Sequence, residues 1–373
     1  MNEDLDLEGP PVPVMRPRLP AAAELLPHLE EMDRSGWYTN FGPEERRLRG
    51  RFAAFLGVDE GQVATAANAT LCLQGAAAVS PATSWVLPSF TFPASPMALL
   101  QAGKEIRFAD IREEDWWLDV TSTPPTGETT GVMPVAPLGN PFELSRWDPS
   151  QEVIIDAAAS LGGDLPPLEH LPARWAVVFS LHATKCLPAG EGGLVVFGDR
   201  GRAERFRSWT NFGFEASQRS RASRLVGTNA KLSEIGSAYA HVSLDRWDEV
   251  RSEWLDARHR VDALEVEHGL LGQPGQRGGV SPYWVVAFPD GRTREAAERS
   301  LSEQGIETRR WWSRACHRMP ALAGQPRSPL PVTESVSDRM LGLPMFRGLE
   351  DGHIARISAA LTVIRHLWEQ EAG

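Results

Sequence analysis

Residues 180–193 of the 373-residue chain read Ser-Leu-His-Ala-Thr-Lys-Cys-Leu-Pro-Ala-Gly-Glu-Gly-Gly. Apolar runs at 175–179 and 194–197 flank this segment, and both are typical of buried strands. Between them stands Lys185, with few other charged residues nearby. A lysine held in such a pocket can lose its proton and act as an amine nucleophile, as an enzyme that forms a Schiff base requires.

A second apolar run, at 153–155, ends in an acid, Asp156. An acid at the carboxyl end of a strand can keep a pyridinium nitrogen protonated, as pyridoxal phosphate requires. Considered alone, Asp156 fits a strand cap and Lys185 fits a glycine-rich surface turn. Their order along the chain, with Ser180 shortly before the lysine, favours a pyridoxal phosphate site over these simpler interpretations.

Composition argues against several classes of protein. The formal net charge of −11 is the opposite of the basic surface that nucleic-acid binding normally needs, so we expect no nucleic-acid partner. The three cysteines lack CxxC spacing and fit a reducing cytoplasm. The histidines form neither an HExxH motif nor a Cys/His cluster, so we expect no metal site. No apolar run has membrane-spanning length, so we expect no membrane partner.

Strands and helices alternate through the first two-thirds of the chain, which predicts a mostly parallel α/β sheet with ligands at the carboxyl ends of its strands. Asp156, Phe92 and the turn at Asn68 are expected to meet at that edge. Near residue 251 the pattern changes to a smaller α+β arrangement. We therefore predict three regions, which are an N-terminal arm over 1–20, a large domain over 21–250 and a small C-terminal domain over 251–373.

Two asparagines lie at predicted helix starts. At Asn68 a short strand turns into a helix, and the free backbone N–H groups of such a turn, with Ala67 among them, can bind a phosphate. Asn229 precedes a second predicted helix that runs to Trp247. For both asparagines an ordinary helix cap is the alternative interpretation.

The segment 309–312 reads Arg-Arg-Trp-Trp. The two arginines, Arg309 and Arg310, and the two tryptophans, Trp311 and Trp312, can clamp a diphosphate and a flat base. A solvated basic turn with one buried tryptophan fits the same residues.

Ser180-Leu-His-Ala-Thr-Lys185, followed by Gly190-Glu-Gly-Gly193, resembles the lysine segment of the DegT-type sugar aminotransferases, which are fold type I pyridoxal phosphate enzymes. The resemblance extends from about residue 16 to about residue 360. It implies an α/β fold type I architecture with a large and a small domain. It also implies pyridoxal 5′-phosphate held as a Schiff base by Lys185, with pyridoxamine phosphate as the intermediate, and Asp156 at the ring nitrogen.

The resemblance assigns further cofactor contacts. Phe92 matches an aromatic residue that stacks on the cofactor ring. Phosphate contacts fall on Ser180, on the Ala67–Asn68 turn, where the family has Gly-Thr, and on Asn229. The residue that matches Asn229 reaches the phosphate of the neighbouring subunit, so the resemblance implies a homodimer with shared active sites. Ala159 departs from the family, which commonly has Gln near the phenolic oxygen.

The resemblance also implies contacts with the substrate. It places the loop that carries Trp37 and Thr39 near the active site, and His182 lies next to the lysine in sequence.

The implied activity is transfer of an amino group from an amino acid, glutamate by resemblance, to a keto group at C-4 or C-3 of a nucleotide-linked deoxysugar. Such a reaction belongs to the synthesis of cell-surface polysaccharides or glycosylated natural products. One alternative is a pyridoxamine-phosphate-dependent dehydratase of the same family, which carries His where this chain has Lys185. A second is a regulatory protein that keeps the fold without turnover, against which Lys185 and Asp156 both weigh.

Overall fold

The computed structural model describes residues 10–121, 129–214 and 222–371, with side chains as far as Ile364. Ten strands form two sheets. The seven strands of the central sheet are β1 (Val63–Ala66), β2 (Ser84–Pro88), β3 (Glu105–Ala109), β4 (Thr130–Val132), β5 (Val153–Asp156), β6 (Trp175–Ser180) and β7 (Gly193–Phe197). The three strands of the second sheet are β8 (Leu271–Gly272), β9 (Trp284–Ala287) and β10 (Met340–Leu343).

The central sheet has the order β1-β7-β6-β5-β4-β2-β3. β2 to β6 pair in parallel, whereas β7 pairs antiparallel with both β6 and β1. Every residue of β5 and β6 is buried, which explains why these strands read as unbroken apolar runs in the sequence. Successive residues of β5 join different core clusters, Val153 and Ile155 on one face and Ile154 on the other. The mostly parallel sheet predicted from the alternation is therefore confirmed.

Ten α-helices accompany the sheets in the described residues. They are α1 (Ala22–Ser35), α2 (Pro43–Leu56), α3 (Ala69–Ala78), α4 (Ala94–Gln101), α5 (Arg200–Trp209), α6 (Glu234–Asp245), α7 (Trp247–His268), α8 (Gly291–Glu303), α9 (Pro331–Arg339) and α10 (Asp351–Glu371). In the part of the chain that the structure describes, no helix has the length and apolar character needed to cross a membrane.

The second sheet is antiparallel, and its strands lie in the order β10-β9-β8. α8 packs against β10 and against α10. α7 runs without interruption through residue 250, where the sequence pattern placed the end of the large domain. The division at 250 remains a prediction.

The N-terminal segment lies extended against the region of the second sheet. Val12 forms a parallel bridge with Ile306 and is fully buried, and the Val14 N–H donates to Glu307 Oε2 at 3.1 Å. Such long-range hydrogen bonds give a segment without internal secondary structure a fixed course. The first nine residues of the predicted arm lie outside the described residues.

The helix cap predicted at Asn229 is wrong by four residues. α6 begins at Glu234, and its N-cap is Ser233, whose Oγ accepts the Gly236 N–H at 3.0 Å. Asn229 instead forms an antiparallel bridge with Asn211. Both Asn and Ser favour the N-cap position, and the pairing with Asn211 fixes the choice.

Candidate active site

A cavity of about 440 Å³ lies where β5 and β6 end. Asp156 ends β5 and Ser180 ends β6, and both line the cavity. The start of α3 and Tyr283, which directly precedes β9, line it as well. Nine predicted site residues line this cavity, namely Asn68, Phe92, Asp156, Ala159, Ser180, His182, Lys185, Arg309 and Trp312.

Lys185 lies in the loop between β6 and β7. Backbone hydrogen bonds close this loop, from the Ala183 N–H to the Gly190 carbonyl at 2.8 Å and from the Ala189 N–H to the Leu181 carbonyl at 2.6 Å. Gly190 has φ +80°, a backbone conformation that residues with a side chain rarely adopt. This conformation explains why a glycine occupies the position. The lysine is thus carried on a tightly hydrogen-bonded turn.

Lys185 is one of three lysines in the chain. Lys104 Nζ donates to two backbone carbonyls of the turn before β2, at 3.0 and 2.7 Å. Lys231 Nζ donates to Asn229 Oδ1 at 2.6 Å. Lys185 is therefore the lysine that a ligand of this cavity meets.

Asp156 is a buried carboxyl held by two donors. Ser95 Oγ donates to its Oδ2 at 2.7 Å, and the Ala158 N–H donates to its Oδ1 at 3.1 Å. Burial raises the pKa of Asp156 above its usual range, and these hydrogen bonds and the charge of Lys185 oppose that rise. A buried carboxyl in this setting gains from a positively charged partner in the cavity.

The first turn of α3 offers unused donors. Asn68 is its N-cap, and the Asn68 Oδ1 accepts the Leu71 N–H at 2.9 Å. The next two N–H groups, of Ala69 and Thr70, and the Thr70 hydroxyl form no hydrogen bond with another described residue. Both residues line the cavity. This arrangement suits a phosphate, because helix N-termini present free donors and a positive dipole end.

Ala67 does not contribute to that set of donors. Its N–H donates to the Ala230 carbonyl at 2.7 Å, and Ala67 does not line the cavity. The free donors of this turn therefore lie on the two residues that follow Asn68, and not on Ala67.

Two residues predicted near the cofactor ring, Phe92 and Ala159, line the cavity from different parts of the chain. Phe92, in the turn between β2 and α4, is 60% exposed. Ala158 and Ala159 line the cavity from the turn that directly follows Asp156 at the end of β5. Small side chains at both positions leave room for a flat ring close to the backbone.

His182 and Ser180 lie in the lysine loop. His182 Nδ1 accepts the Thr184 N–H at 3.2 Å, so the neutral ring carries its proton on Nε2, which lies 3.7 Å from Glu191 Oε1. Ser180 Oγ accepts the His182 N–H at 3.2 Å and keeps its own hydroxyl hydrogen for a ligand. Among the described residues, no group of three or more His, Cys, Asp or Glu side chains could hold a metal ion.

Residues 21–362 match the model of the DegT/DnrJ/EryC1/StrS aminotransferase family. The chain belongs to this family. It is therefore an aminotransferase with the fold type I α/β architecture.

Three proteins that resemble the chain illustrate the family. The dTDP-4-amino-4,6-dideoxy-D-glucose transaminase of Escherichia coli is 26% identical over 369 residues, which cover 94% of this chain and 98% of that protein. The structure of DesI in the presence of its TDP-sugar product is 32% identical, with a TM-score of 0.83, and covers 98% of this chain and 96% of DesI. A Bacillus cereus protein assigned as a PLP-dependent aminotransferase is 26% identical, with a TM-score of 0.86, over 94% of this chain and 100% of that one.

The segment 309–312 is divided between the cavity and the surface. Arg309 lines the cavity and places its guanidinium 4.9 Å from the Trp311 ring centroid. Trp312 also lines the cavity and packs edge-to-face on Phe90 at 5.0 Å. Arg310 does not line it and pairs with Glu298 of α8, with Nε donating at 2.7 Å. The structure therefore does not support the substrate contact predicted for Arg310. The chain turns at this residue, where the Trp311 N–H donates to the Arg309 carbonyl at 3.1 Å.

Besides Ala67 and Arg310, three further predicted residues lie outside the cavity, namely Trp37, Thr39 and Asn229, and all three are exposed. The loop with Trp37 packs at the start of α6, where the Glu234 N–H donates to the Tyr38 carbonyl at 3.3 Å.

Thr70 and Tyr283 line the cavity but were not predicted as site residues from the sequence. Thr70 belongs to a helix whose start was recognised, but a hydroxyl group gives no periodic signal. Ser95, which holds Asp156, was not predicted for the same reason. Tyr283 reaches the cavity from the region of the second sheet. A contact such as that of Lys185 with Tyr283, 98 residues apart, has no local signature in the sequence.

Proposed function

We propose that this aminotransferase uses pyridoxal 5′-phosphate bound to Lys185 to aminate a keto group of a nucleotide-linked deoxysugar. The observation that carries the proposal is that Lys185 and the buried Asp156 line one cavity, together with the free donors at the start of α3. An amine, a buried carboxyl and a phosphate cradle are the three groups that this cofactor needs.

The residues present fit the cofactor. The N–H groups of Ala69 and Thr70, and the hydroxyls of Thr70 and Ser180, would hold its phosphate. Asp156 would pair with its ring nitrogen, and Phe92 would cover one face of the ring. Asn68 supports the phosphate site by capping α3. Bound there, pyridoxal phosphate supplies an electron sink that stabilises negative charge on the substrate carbon.

The chain's own groups then move and place the protons. With its amine free, Lys185 would accept a proton at Nζ from the α-carbon of the amino donor and would return one on the sugar side. Asp156, which is buried and bonded to Ser95, would hold the ring nitrogen in its charged form. Phe92 and the two alanines, Ala158 and Ala159, would border a flat ring in the cavity.

The names of the relatives support the substrate class. The E. coli relative is a dTDP-sugar transaminase, and DesI was solved in the presence of a TDP-sugar product. In this chain Arg309 offers a positive charge and Trp312 a flat surface at the cavity wall. These two groups suit a diphosphate and a nucleotide base. The donor is an amino acid, and we propose glutamate. The keto group that receives the amino group is at C-4 or C-3 of the sugar.

We further propose a homodimer in which Asn229 of one chain completes the phosphate site of the other. Asn229 is exposed and lies outside its own cavity, as do Trp37 and Thr39. An exposed Phe92 at the cavity and an exposed Trp37 are apolar surfaces that a second copy would cover. We place the enzyme in the cytoplasm, in the synthesis of a cell-surface polysaccharide or a glycosylated natural product.

The test is incubation of the protein with glutamate and a panel of nucleotide-linked keto sugars, with mass detection of the aminated product. Asp156→Asn is the informative variant, because an amide retains the hydrogen bond from Ser95 but supplies no charge to the ring nitrogen. It should bind the cofactor and lose most turnover. Wild-type turnover by Asp156→Asn, or no aminated sugar from any substrate, would contradict the proposal.

A further inference from the structure

The amine of Lys185 has a defined partner in the cavity. Lys185 Nζ donates to the hydroxyl of Tyr283 at 2.7 Å and lies 5.0 Å from the centroid of the Tyr283 ring. Lys185 lies in the loop that follows β6 of the central sheet, whereas Tyr283 directly precedes β9 of the second sheet.

Tyr283 is itself fixed in place. It is only 8% exposed, and its ring packs edge-to-face on Trp311 with centroids 4.9 Å apart. Its N–H donates to Ser281 Oγ at 3.2 Å, and Ser281 Oγ contacts the Leu138 carbonyl at 3.4 Å. The phenol is therefore presented to the cavity by a packed and hydrogen-bonded support.

A free lysine side chain samples many rotamers, and holding one of them costs conformational entropy. A partner that is already rigid reduces this loss and keeps the amine near the reacting atoms. The hydroxyl of Tyr283 accepts from Nζ and still has its own hydrogen to donate to a ligand in the cavity. Tyr283 thus differs from a residue that only fills space.

We propose that Tyr283 is a positioning residue for Lys185, and that its hydroxyl holds the side-chain amine at the cavity wall whenever the amine is not covalently bound. The proposal rests on the function proposed above, because it concerns the state of the lysine before capture of the cofactor and after its release. Through this hydrogen bond the region of the second sheet contacts the lysine loop directly.

The first test measures capture of pyridoxal phosphate by the cofactor-free protein in a stopped-flow instrument. Binding and covalent capture are separate phases, because the second produces the absorbance change of the lysine-linked cofactor. For Tyr283→Phe the binding phase should stay within about twofold, and the capture phase should slow by about 10- to 100-fold, the size of a lost hydrogen bond to a charged group. Tyr239→Phe is the matched control, because its hydroxyl has no hydrogen-bond partner in the described part of the chain.

The second test reports the contact without turnover. The chain has only three tyrosines, so 3-fluorotyrosine in a Tyr38→Phe, Tyr239→Phe background labels Tyr283 alone. The ¹⁹F resonance of the cofactor-free protein should shift on Lys185→Met and again on addition of pyridoxal phosphate. The labelled protein keeps the hydroxyl, so its capture rate should stay within about threefold of that of the unlabelled background.

Capture by Tyr283→Phe at the wild-type rate would overturn the proposal. Equal slowing of both phases together with a lower melting temperature would also overturn it, since that result assigns Tyr283 a packing role only. An unchanged ¹⁹F resonance on Lys185→Met would show that the side chains of Tyr283 and Lys185 are not in contact. Failure of the wild-type protein to capture pyridoxal phosphate would instead refute the proposed function, while the ¹⁹F experiment still decides the contact.

Discussion

The hydroxyl of Ser95, in α4, donates a 2.7 Å hydrogen bond to Oδ2 of Asp156, at the end of β5. Thr91 extends this contact, with its Oγ1 2.7 Å from Ser95 Oγ, and all three side chains are buried. The pair joins the first helix after β2 to the carboxyl that we assign to the cofactor ring. Because burial raises the pKa of Asp156 and Ser95 lowers it, this hydroxyl helps to keep the carboxylate charged.

Ser95→Ala should therefore raise the pKa of Asp156 further. A higher pKa means that Asp156 is protonated at higher pH, so the acid limb of the kcat/KM profile should move to higher pH. On that limb we expect a loss of about tenfold, the effect of one hydrogen bond to a charged group. Ser84→Ala, which removes a serine hydroxyl bonded to Thr130 in the same sheet, is the control. An unshifted acid limb in Ser95→Ala would show that Ser95 does not act on Asp156.

Thr70 and Asn68 should give different phenotypes although they lie in the same turn. Thr70→Val removes a hydroxyl that is free for a phosphate, so cofactor affinity should fall by about tenfold with little change in the melting temperature of the cofactor-free protein. Asn68→Ala removes a helix cap, so the free energy of unfolding should fall by about 1 kcal/mol. Cofactor titration and thermal denaturation separate the two effects. Unchanged cofactor affinity in Thr70→Val would contradict the phosphate assignment.

Arg309 and Arg310 form a natural pair of variant and control. Arg309→Ala should raise KM for the nucleotide-linked sugar by about 10- to 100-fold, because a charge-assisted contact to phosphate is lost. Arg310→Ala should change KM by less than about twofold, because Arg310 is exposed and pairs with Glu298 outside the cavity. Equal changes in KM for the two substitutions in steady-state kinetics would contradict a contact between Arg309 and the substrate.

Asn229 tests the shared active site. When a Lys185→Ala chain is mixed with an Asn229→Ala chain, a heterodimer has one site with both defects and one with neither. Activity should rise above that of either parent as subunits exchange. A fully active monomer in sedimentation at the assay concentration would contradict the shared site. So would the absence of rescue in demonstrated heterodimers, provided that Asn229→Ala alone is impaired.

The parts of the site that could be predicted from sequence lie at strand ends. Lys185 and Asp156 each follow an unbroken apolar run, and the ends of neighbouring strands in a parallel sheet share one edge, so their proximity follows from the strand pattern. The helix start near Asn229 was placed wrongly because a bridge to Asn211, which is not local in sequence, decides between two acceptable caps. Tyr283 was missed for the same reason, since its contact with Lys185 depends on how the second sheet packs against the lysine loop.

The side chains at 309–312 show a further limit of sequence interpretation. The sequence alone does not distinguish Arg309 from Arg310 as a ligand contact. Arg309 is bridged to Gly342, and the chain turns directly after it, where the Trp311 N–H donates to the Arg309 carbonyl. Arg309 then lines the cavity, whereas Arg310 pairs with α8. Which arginine meets the ligand depends on this local backbone geometry, which the residue types do not show.

Reductive trapping tests the central claim most directly. The protein is incubated with pyridoxal phosphate and then with sodium borohydride, and peptides are mapped by mass spectrometry. With only three lysines to distinguish, we predict one cofactor per chain on the peptide that contains Lys185, with Lys104 and Lys231 unmodified. Trapped cofactor on Lys104 or Lys231 in place of Lys185, or no trapped cofactor at all, would contradict the account.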